Sequence, residues 1–424
     1  HPMTARDRSR LNAINADMTG RALRVIAVAY KNLSDFNRSE ASTLEKDLTF
    51  IGLIGMIDPP RKEVKEAVRI CKQAGIKPVM ITGDHILTAK AIAKDLGILT
   101  NQSEAITGDE LSKMSTEQLN ENISRFSVFA RVSPEHKVRI VKAYQSKGEV
   151  VAMTGDGVND APALKASDIG CAMGITGTDV AKNAADMILT DDNFATIVSA
   201  VREGRGIYEN IRKAIHFLLS SNIGEILTIF LAILFGLPTP LMAVQLLWVN
   251  LVTDSLPAIS LGVEPASKDI MNRKPISPKK GMFSDGLAVQ IIIEGILIGS
   301  LALTAFVIGI RYYDTPGLQS ETFVPLVGRT MAFAVLSLSQ LFHSFNMRSH
   351  LSLSEIGIFS NRKLTISFII CAFLQISVIT IAPLAKVFQV VPLNFRQWAI
   401  VLLLSVSPIV VVELQKKFNN RRNT

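Results

Sequence analysis

The run Met153-Thr154-Gly155-Asp156-Gly157-Val158-Asn159-Asp160 places two carboxylates and a carboxamide in a glycine-rich turn. It follows Val150-Val151-Ala152-Met153, an apolar stretch that reads as a buried strand. Carboxylates in this position suit Mg²⁺ beside a phosphate, because Mg²⁺ takes one or two carboxylates and completes its shell with water and phosphate oxygen. Two further polar groups follow apolar runs. Thr82-Gly83-Asp84 closes the run Lys77-Pro78-Val79-Met80-Ile81, and Lys137 lies just past Ser127-Val128-Phe129-Ala130. A hydroxyl and backbone N–H groups can hold phosphoryl oxygens, and a lysine can neutralise charge developing on them. Alone, each has an ordinary reading as a turn or a solvated lysine. Together, at three strand ends, they point to phosphoryl chemistry.

The elements that must position these groups alternate. Residues 22–30 and 48–58 are β-rich. Pro59-Pro60 open a helix whose apolar positions Val64, Ala67, Val68 and Cys71 recur at helical spacing and which Gly75 ends. A strand leads into Thr82, a helix runs to Gly97, and strand-turn-helix follows through residues 127–148. The run into Asp156 is again strand then helix, and 169–174 and 186–191 read as two more strands around a helix. Such β-α alternation predicts a doubly wound, mostly parallel sheet with ligands at the carboxyl ends of its strands.

The composition demands a second, different part. Of the 424 residues 48% are hydrophobic and only 19% charged, which is too apolar for a purely soluble protein. A helix beginning near Ala195 carries charge through Lys213 and turns apolar from Ile215 to Leu237. Apolar segments follow at 241–262, 285–310, 325–347, 364–386 and 394–413, giving six spans. Lys and Arg concentrate in 263–284 and in the tail after 414, while 312–328 and 236–240 have none. The bias places both ends of the helical part, and the soluble part, on the cytoplasmic side. The net charge of +8 is that of cytoplasmic loops rather than of a nucleic-acid surface. The three cysteines are far apart and read as reduced, buried thiols.

Polar groups inside the spans are expensive and therefore informative. Asn222 and Glu225 share one face of the first span. Asn250, Thr253 and Asp254 share a face of the second. Gly224 and Pro257 are expected to loosen their helices and free carbonyl oxygens. Carboxylates, amides and a hydroxyl at this spacing suit a hard divalent cation such as Ca²⁺; the competing reading is helix–helix hydrogen bonding. Glu294, among aliphatic neighbours, reads as paired to another helix or near the headgroups.

The motifs DPPR (58–61), MITGD (80–84), FARVSPEHK (129–137) and 153–174 resemble the phosphorylation domain of P-type cation pumps, a branch of the haloacid-dehalogenase fold. Residues 204–226 and 245–265 resemble calcium pumps of the sarcoplasmic-reticulum type. The resemblance covers essentially the whole chain. It implies an α/β haloacid-dehalogenase-like (Rossmann-like) phosphorylation domain at 48–205, after the end of a nucleotide-binding domain at 1–47, followed by six transmembrane helices at 206–424. It implies that Asp156 binds Mg²⁺ with support from Asn159 and Asp160, and that Thr82, Gly83, Asp84 and Lys137 serve the phosphoryl group. Arg24 falls near ATP, and Asp58 and Arg61 at the hinge. Asn222, Glu225, Asn250, Thr253 and Asp254 fall on the Ca²⁺ ligand positions. Gln340 stands where such pumps often have glutamate, which removes one negative charge; Ser337 and His343 are alternatives there.

The family's nucleophile is the aspartate of a DKTGT motif, and no such run occurs in the 424 residues. The expectation is the C-terminal half of an ATP-driven Ca²⁺ pump, with Mg²⁺ and ATP as cofactors and the lipid bilayer as surroundings. Its partner is the N-terminal half of the same pump, with no nucleic acid and no obligatory partner besides. A bacterial plasma membrane is the expected location. The alternatives are a membrane-tethered phosphatase of the haloacid-dehalogenase type and a P-type pump for Na⁺ or Mn²⁺.

Overall fold

The structure is a computed structural model that describes residues 2–21, 23–32, 44–56, 59–314 and 324–423. The chain divides into two compact units. One comprises His1–Arg202 with Lys268–Pro278, the other Glu203–Ser267 with Lys279–Thr424.

In the first unit, α1 (Ala5–Gly20) is capped by Thr4, whose hydroxyl accepts from the Asp7 N–H. Strands β1 (Arg24–Tyr30) and β2 (Thr49–Met56) pair antiparallel, with an irregularity between Val28 and Ala29. Helix α2 (Lys62–Gln73) follows the two prolines and buries Ala67, Val68 and Cys71. Gly75 ends it at φ +72°, a conformation that favours glycine. Then come β3 (Met80–Thr82), α3 (Ile86–Asp95), β4 (Ala105–Thr107), α4 (Gly108–Lys113), α5 (Thr116–Asn122), β5 (Val128–Ala130) and α6 (Pro134–Ser146). The unit continues with β6 (Ala152–Gly155), α7 (Ala161–Ala166), β7 (Ile169–Met173), α8 (Asp179–Ala184) and β8 (Met187–Leu189). The segment β4-α4-α5 lies in a stretch that the strand–helix reading passed over. Its signals are two capping boxes, Thr107 with Glu110 and Ser115 with Gln118.

The parallel strands form two three-stranded sheets, ordered β3-β5-β4 and β6-β7-β8, rather than one. Strands β3 and β6 are not hydrogen-bonded to each other, so each ends its sheet. Apolar packing still joins them: Ile81 of β3 packs on the cluster that contains Met153 of β6, Val141 of α6 and Leu164 of α7. The same Ile81 also packs on the cluster of Ile106, Leu111, Phe129 and Ile140.

The second unit is helical. Helix α9 (Phe194–Leu234) is continuous over 41 residues and begins within the first unit's span of sequence. At 1.5 Å per residue it is about 60 Å long. The next segment is interrupted: α10 (Ala243–Trp248), a π-helical turn (Val249–Thr253) and α11 (Ser255–Gly262). The wide turn closes with the Asp254 N–H on the Val249 carbonyl at 2.9 Å. Pro257 lacks the N–H that would otherwise reach the Thr253 carbonyl. Helices α12 (Leu287–Tyr312) and α13 (Leu326–Asn346) follow, then the short α14 (Leu353–Ile356). Last come α15 (Arg362–Thr380), α16 (Ala382–Phe388) and α17 (Phe395–Asn423).

Among the described residues five helical segments are long and apolar enough to cross a membrane: 194–234, 243–262, 287–312, 362–380 and 395–418. The sixth expected span forms as α13 but is not among these five. It carries Arg329, Ser337, Ser339, Gln340, His343, Ser344 and Asn346, and all of these are buried. A helix enclosed by other helices need not present an apolar surface. The expected span 364–386 is broken at Ile381, just before Pro383 of α16.

Gly224 does not loosen its helix, contrary to expectation. Helix α9 runs unbroken through it, and a Cβ there would lie 2.8 Å from Ile298 on α12. Opposite it, a Cβ on Gly299 would lie 2.8 Å from the Gly224 carbonyl oxygen. The glycines let α9 and α12 approach closely.

Candidate functional site

The first unit gathers its candidate residues at strand ends. The carbonyl of Thr82, last residue of β3, accepts from the Val132 N–H at 3.4 Å, which brings this end beside the turn into α6. The Thr82 hydroxyl donates to Asp84 Oδ2 at 3.0 Å, and the Asp84 N–H donates to the Thr82 hydroxyl at 3.1 Å. Thr82-Gly83-Asp84 is thus a self-bonded turn in front of α3. Ser133 caps α6 and sets Lys137 on its first turn.

Asp160 is the organiser of the Asp156 turn. It is 7% exposed, and it pairs with the ammonium of Lys137. Its other oxygen accepts from the N–H groups of Asp156 at 3.3 Å and Gly157 at 3.2 Å. A charged acceptor holding two backbone donors and a lysine fixes the turn and the lysine together. Asp156 and Asn159 remain exposed at the same turn. The Asp156 carbonyl accepts from the Thr178 N–H at 2.8 Å, tying the turn to the start of α8. Asp156 and Asn159 are thus the residues that fit a hard cation, an exposed carboxylate and carboxamide on a braced turn; Asp160 is spent on bracing it.

The remaining predicted residues of this unit lie elsewhere. Arg24 is exposed at the start of β1. The Arg61 guanidinium donates to the Asp191 carbonyl at 3.3 Å, and nearby Asn193 donates to Glu63 at 3.0 Å. Asp58 lies outside the described residues. The sequence reading missed Asp192, whose carboxylate accepts from Ile175 N–H at 2.9 Å and from Thr176 N–H and hydroxyl, both at 2.8 Å. Adjacent aspartates at 191–192 were the available signal, but nothing local says which loop they would hold.

The second unit assembles a cage from three elements. Glu225 is on α9, Asn250 and Thr253 are in the π turn, Asp254 follows them, and Gln340 is on α13. Asn250 Nδ2 donates to Glu225 Oε2 at 2.9 Å and to the Leu246 carbonyl at 3.0 Å. The Thr253 hydroxyl donates to the Val249 carbonyl at 3.1 Å, so its lone pairs are left to accept or to ligate. Gln340 Nε2 reaches the Ser221 carbonyl at 3.5 Å. Asp254 is wholly buried. Four buried oxygens have no hydrogen-bond partner: Glu225 Oε1, both carboxylate oxygens of Asp254, and Gln340 Oε1. The hydroxyls of Ser221 and Ser337 are likewise unpartnered. Asn222 is half-buried three residues before Glu225 on α9. Two buried carboxylates with unpaired oxygens are destabilising unless a cation or protons satisfy them. Oxygen-only donors of this kind suit a hard cation.

Comparisons with known proteins agree on both parts. Residues 7–168 match the haloacid dehalogenase-like hydrolases, as do residues 137–201. Residues 238–418 match the family described as cation transporting ATPase, C-terminus. The chain is 52% identical over 423 residues to calcium-transporting ATPase 1 of Bacillus cereus, covering 98% of this chain and 47% of that protein. It is 48% identical over 401 residues to the calcium-transporting ATPase of Bacillus subtilis, covering 95% and 44%. It is 43% identical over 376 residues to human calcium-transporting ATPase type 2C member 1, covering 88% and 40%. The chain spans a little under half the length of these relatives. A haloacid-dehalogenase-like α/β unit joined in sequence to a multi-pass membrane unit, with matches along the whole chain, shows that it belongs to the P-type cation-transporting ATPases.

Proposed function

We propose that this chain is the phosphorylation-domain and membrane-domain portion of an ATP-driven calcium pump whose cation cage is built on Glu225, Asn250, Thr253, Asp254 and Gln340, with Asn222 beside it. The observation that carries this reading is the set of four unpartnered buried oxygens on Glu225, Asp254 and Gln340. Two carboxylates and neutral oxygens match the needs of Ca²⁺ in charge and hardness. Gln340 contributes an oxygen without charge, so the cage holds one carboxylate fewer than a glutamate there would give.

In the first unit, Asp156 and Asn159 would hold Mg²⁺, which supplies charge neutralisation at phosphoryl oxygens. Lys137, oriented by Asp160, stands ready to hold one such oxygen, and the Thr82 turn offers a hydroxyl and N–H groups. The nucleophilic aspartate is assigned to a segment outside these 424 residues, as is most of the ATP pocket. The outer edges of β3 and β6 support this, since neither pairs with a further strand among the described residues, both share the packing of Ile81, and the two could receive one strand between them. The Lys- and Arg-rich loops support a cytoplasmic side for the first unit and the C-terminal tail, with a bacterial plasma membrane as the membrane concerned.

The test is equilibrium binding of ⁴⁵Ca²⁺ to the purified chain in detergent, for wild type and Asp254→Asn. The amide keeps the oxygen and drops the charge. Affinity is expected to fall at least tenfold, about 1.4 kcal/mol. Absence of saturable binding by wild type, or equal binding by the variant, would sink the cage.

A further inference from the structure

The helical unit holds a second set of buried ionisable side chains. His216 on α9, Glu294 on α12 and His343 on α13 meet at one atom. His216 Nε2 lies 2.5 Å from Glu294 Oε2, and His343 Nε2 lies 3.2 Å from the same oxygen. The His216, Glu294 and His343 side chains are 13%, 9% and 0% exposed. The other charged groups around them have partners of their own, although the charge of Lys416 also acts on Glu294. Lys416 on α17 donates to the Asn346 carbonyl at 2.8 Å and to Glu413 at 3.1 Å. Arg348, just beyond α13, pairs with Glu264 at 2.9 Å. On α9 itself, Arg212 donates to the Ser284 carbonyl and Lys213 to Asn210.

The two imidazoles are not equivalent. Asn346 Nδ2 donates to the Pro408 carbonyl at 3.1 Å, which fixes the orientation of its amide. The same nitrogen lies 3.4 Å from His343 Nδ1. A ring nitrogen facing an N–H donor must be the acceptor, so His343 carries its hydrogen on Nε2 and presents it to Glu294. A second proton on His343 would set N–H against N–H. His216 has no such lock. Its Nε2 touches Glu294 without the alignment of a straight hydrogen bond. Such a contact is favourable when the ring is an imidazolium facing the carboxylate.

We propose that His216 and Glu294 form a proton-binding site inside the helical unit, separate from the cation cage, with His343 as its fixed hydrogen-bond donor. The ligand is a proton and not a metal. Nitrogen and oxygen are in direct contact, which leaves no room for an ion between them. Among the described residues no group of three or more His, Cys, Asp or Glu is arranged to hold a metal. With the proton bound, an ion pair ties α9 to α12. As pH rises and the proton leaves, the tie is lost. His216 lies six residues before Asn222 on the same unbroken helix, about 9 Å along its axis. Proton occupancy therefore bears on the helix that carries Glu225 of the cage and Asn222 beside it. That last link rests on the cage reading, whereas the proton site does not.

The experiment is a ¹⁵N NMR titration of the histidine-labelled chain in detergent between pH 5 and 9. His216→Gln and His343→Gln assign the two signals by their loss. In wild type, His216 is expected to titrate, while His343 keeps the shifts of a neutral Nε2–H ring throughout. In Glu294→Gln the His216 ring is expected to lose the imidazolium signal that wild type shows at the same pH, the effect of removing an adjacent opposite charge. An unchanged His216 signal, or an imidazolium signal from His343 in place of His216, would overturn the proposal. Should Glu294→Gln fail to fold, Asn346→Leu provides the second arm. It removes the lock, and His343 is then expected to begin titrating; a His343 that stays silent there overturns the assignment. Ca²⁺ binding is not read in this experiment, so its failure and that of the cage are distinguishable.

Discussion

Asp192 accepts three hydrogen bonds from Ile175 and Thr176 although it is only partly covered, and its backbone sits at φ +49°. The Ile175 N–H, with the Thr176 hydroxyl and N–H, pulls its carboxyl down to about 2. A carboxyl depressed on folding stabilises the fold above its unfolded value of about 3.9 and loses that contribution as pH falls towards 2. The loop it holds follows β7 and leads to Thr178, which is bonded to the Asp156 turn. Amide exchange at Ile175 and Thr176, compared with that of unrelated loops, is therefore expected to show protection at pH 5 that is lost on approaching pH 2. In Asp192→Ala the protection is expected to be absent at both values. Protection that persists to pH 2 in wild type, or that survives in the variant, would remove Asp192 from this role. Asp160 teaches the companion lesson. The resemblance gave it a supporting role, and its burial and three partners show the form of that support, a brace for Lys137 and for the turn that offers Asp156.

At the scale of elements, the contact of α9 with α12 depends on having no side chains in the way. A Cβ on Gly299 would meet the Gly224 carbonyl oxygen at 2.8 Å and Leu227 at 3.2 Å. The first is backbone and cannot rotate aside. Gly299→Ala is expected to destabilise the helical unit by about 1–3 kcal/mol, the usual range for overpacking. Gly262→Ala is the control, because a Cβ there meets nothing within 4 Å. Thermal unfolding in detergent compares them, and equal midpoints would show that α12 shifts freely. The π turn at 249–253 works the other way. It breaks the regular ladder, and the wide turn carries Asn250, which donates to Glu225, with Thr253 and Asp254 next along it. Pro257 contributes by withholding a donor from the Thr253 carbonyl.

At the scale of the whole molecule, the two units divide the chemistry. The residues proposed to serve a phosphoryl group lie in the first and the oxygens proposed to hold a cation lie in the second, more than 60 residues apart in sequence between Asp160 and Glu225. No DKTGT run occurs in the chain. Incubation of the 424-residue chain with labelled ATP and Mg²⁺, followed by acid gel electrophoresis, is accordingly expected to give no labelled band. A band would place a nucleophile within this chain and contradict the proposed division.

The sequence by itself determined the family, the α/β-then-helical order and most helix positions. These follow from local signals: prolines and capping residues at helix starts, glycines at helix ends, apolar runs long enough to span, and motifs read in order. It also picked out Glu225, Asn250, Thr253 and Asp254, because polar groups in apolar runs stand out against their neighbours, and Gln340 through the family resemblance. Only the tertiary structure decided what those groups do to one another. It left Asp254 without a partner, made Gly224 a packing position instead of a break, split the expected sheet at β3 and β6, and enclosed α13 on all sides. It likewise joined His216, Glu294 and His343, which are 127 residues apart at their extremes. The physical reason is that pairing energy depends on distance and burial between distant segments, and neither quantity is encoded in the spacing of residues along one helix.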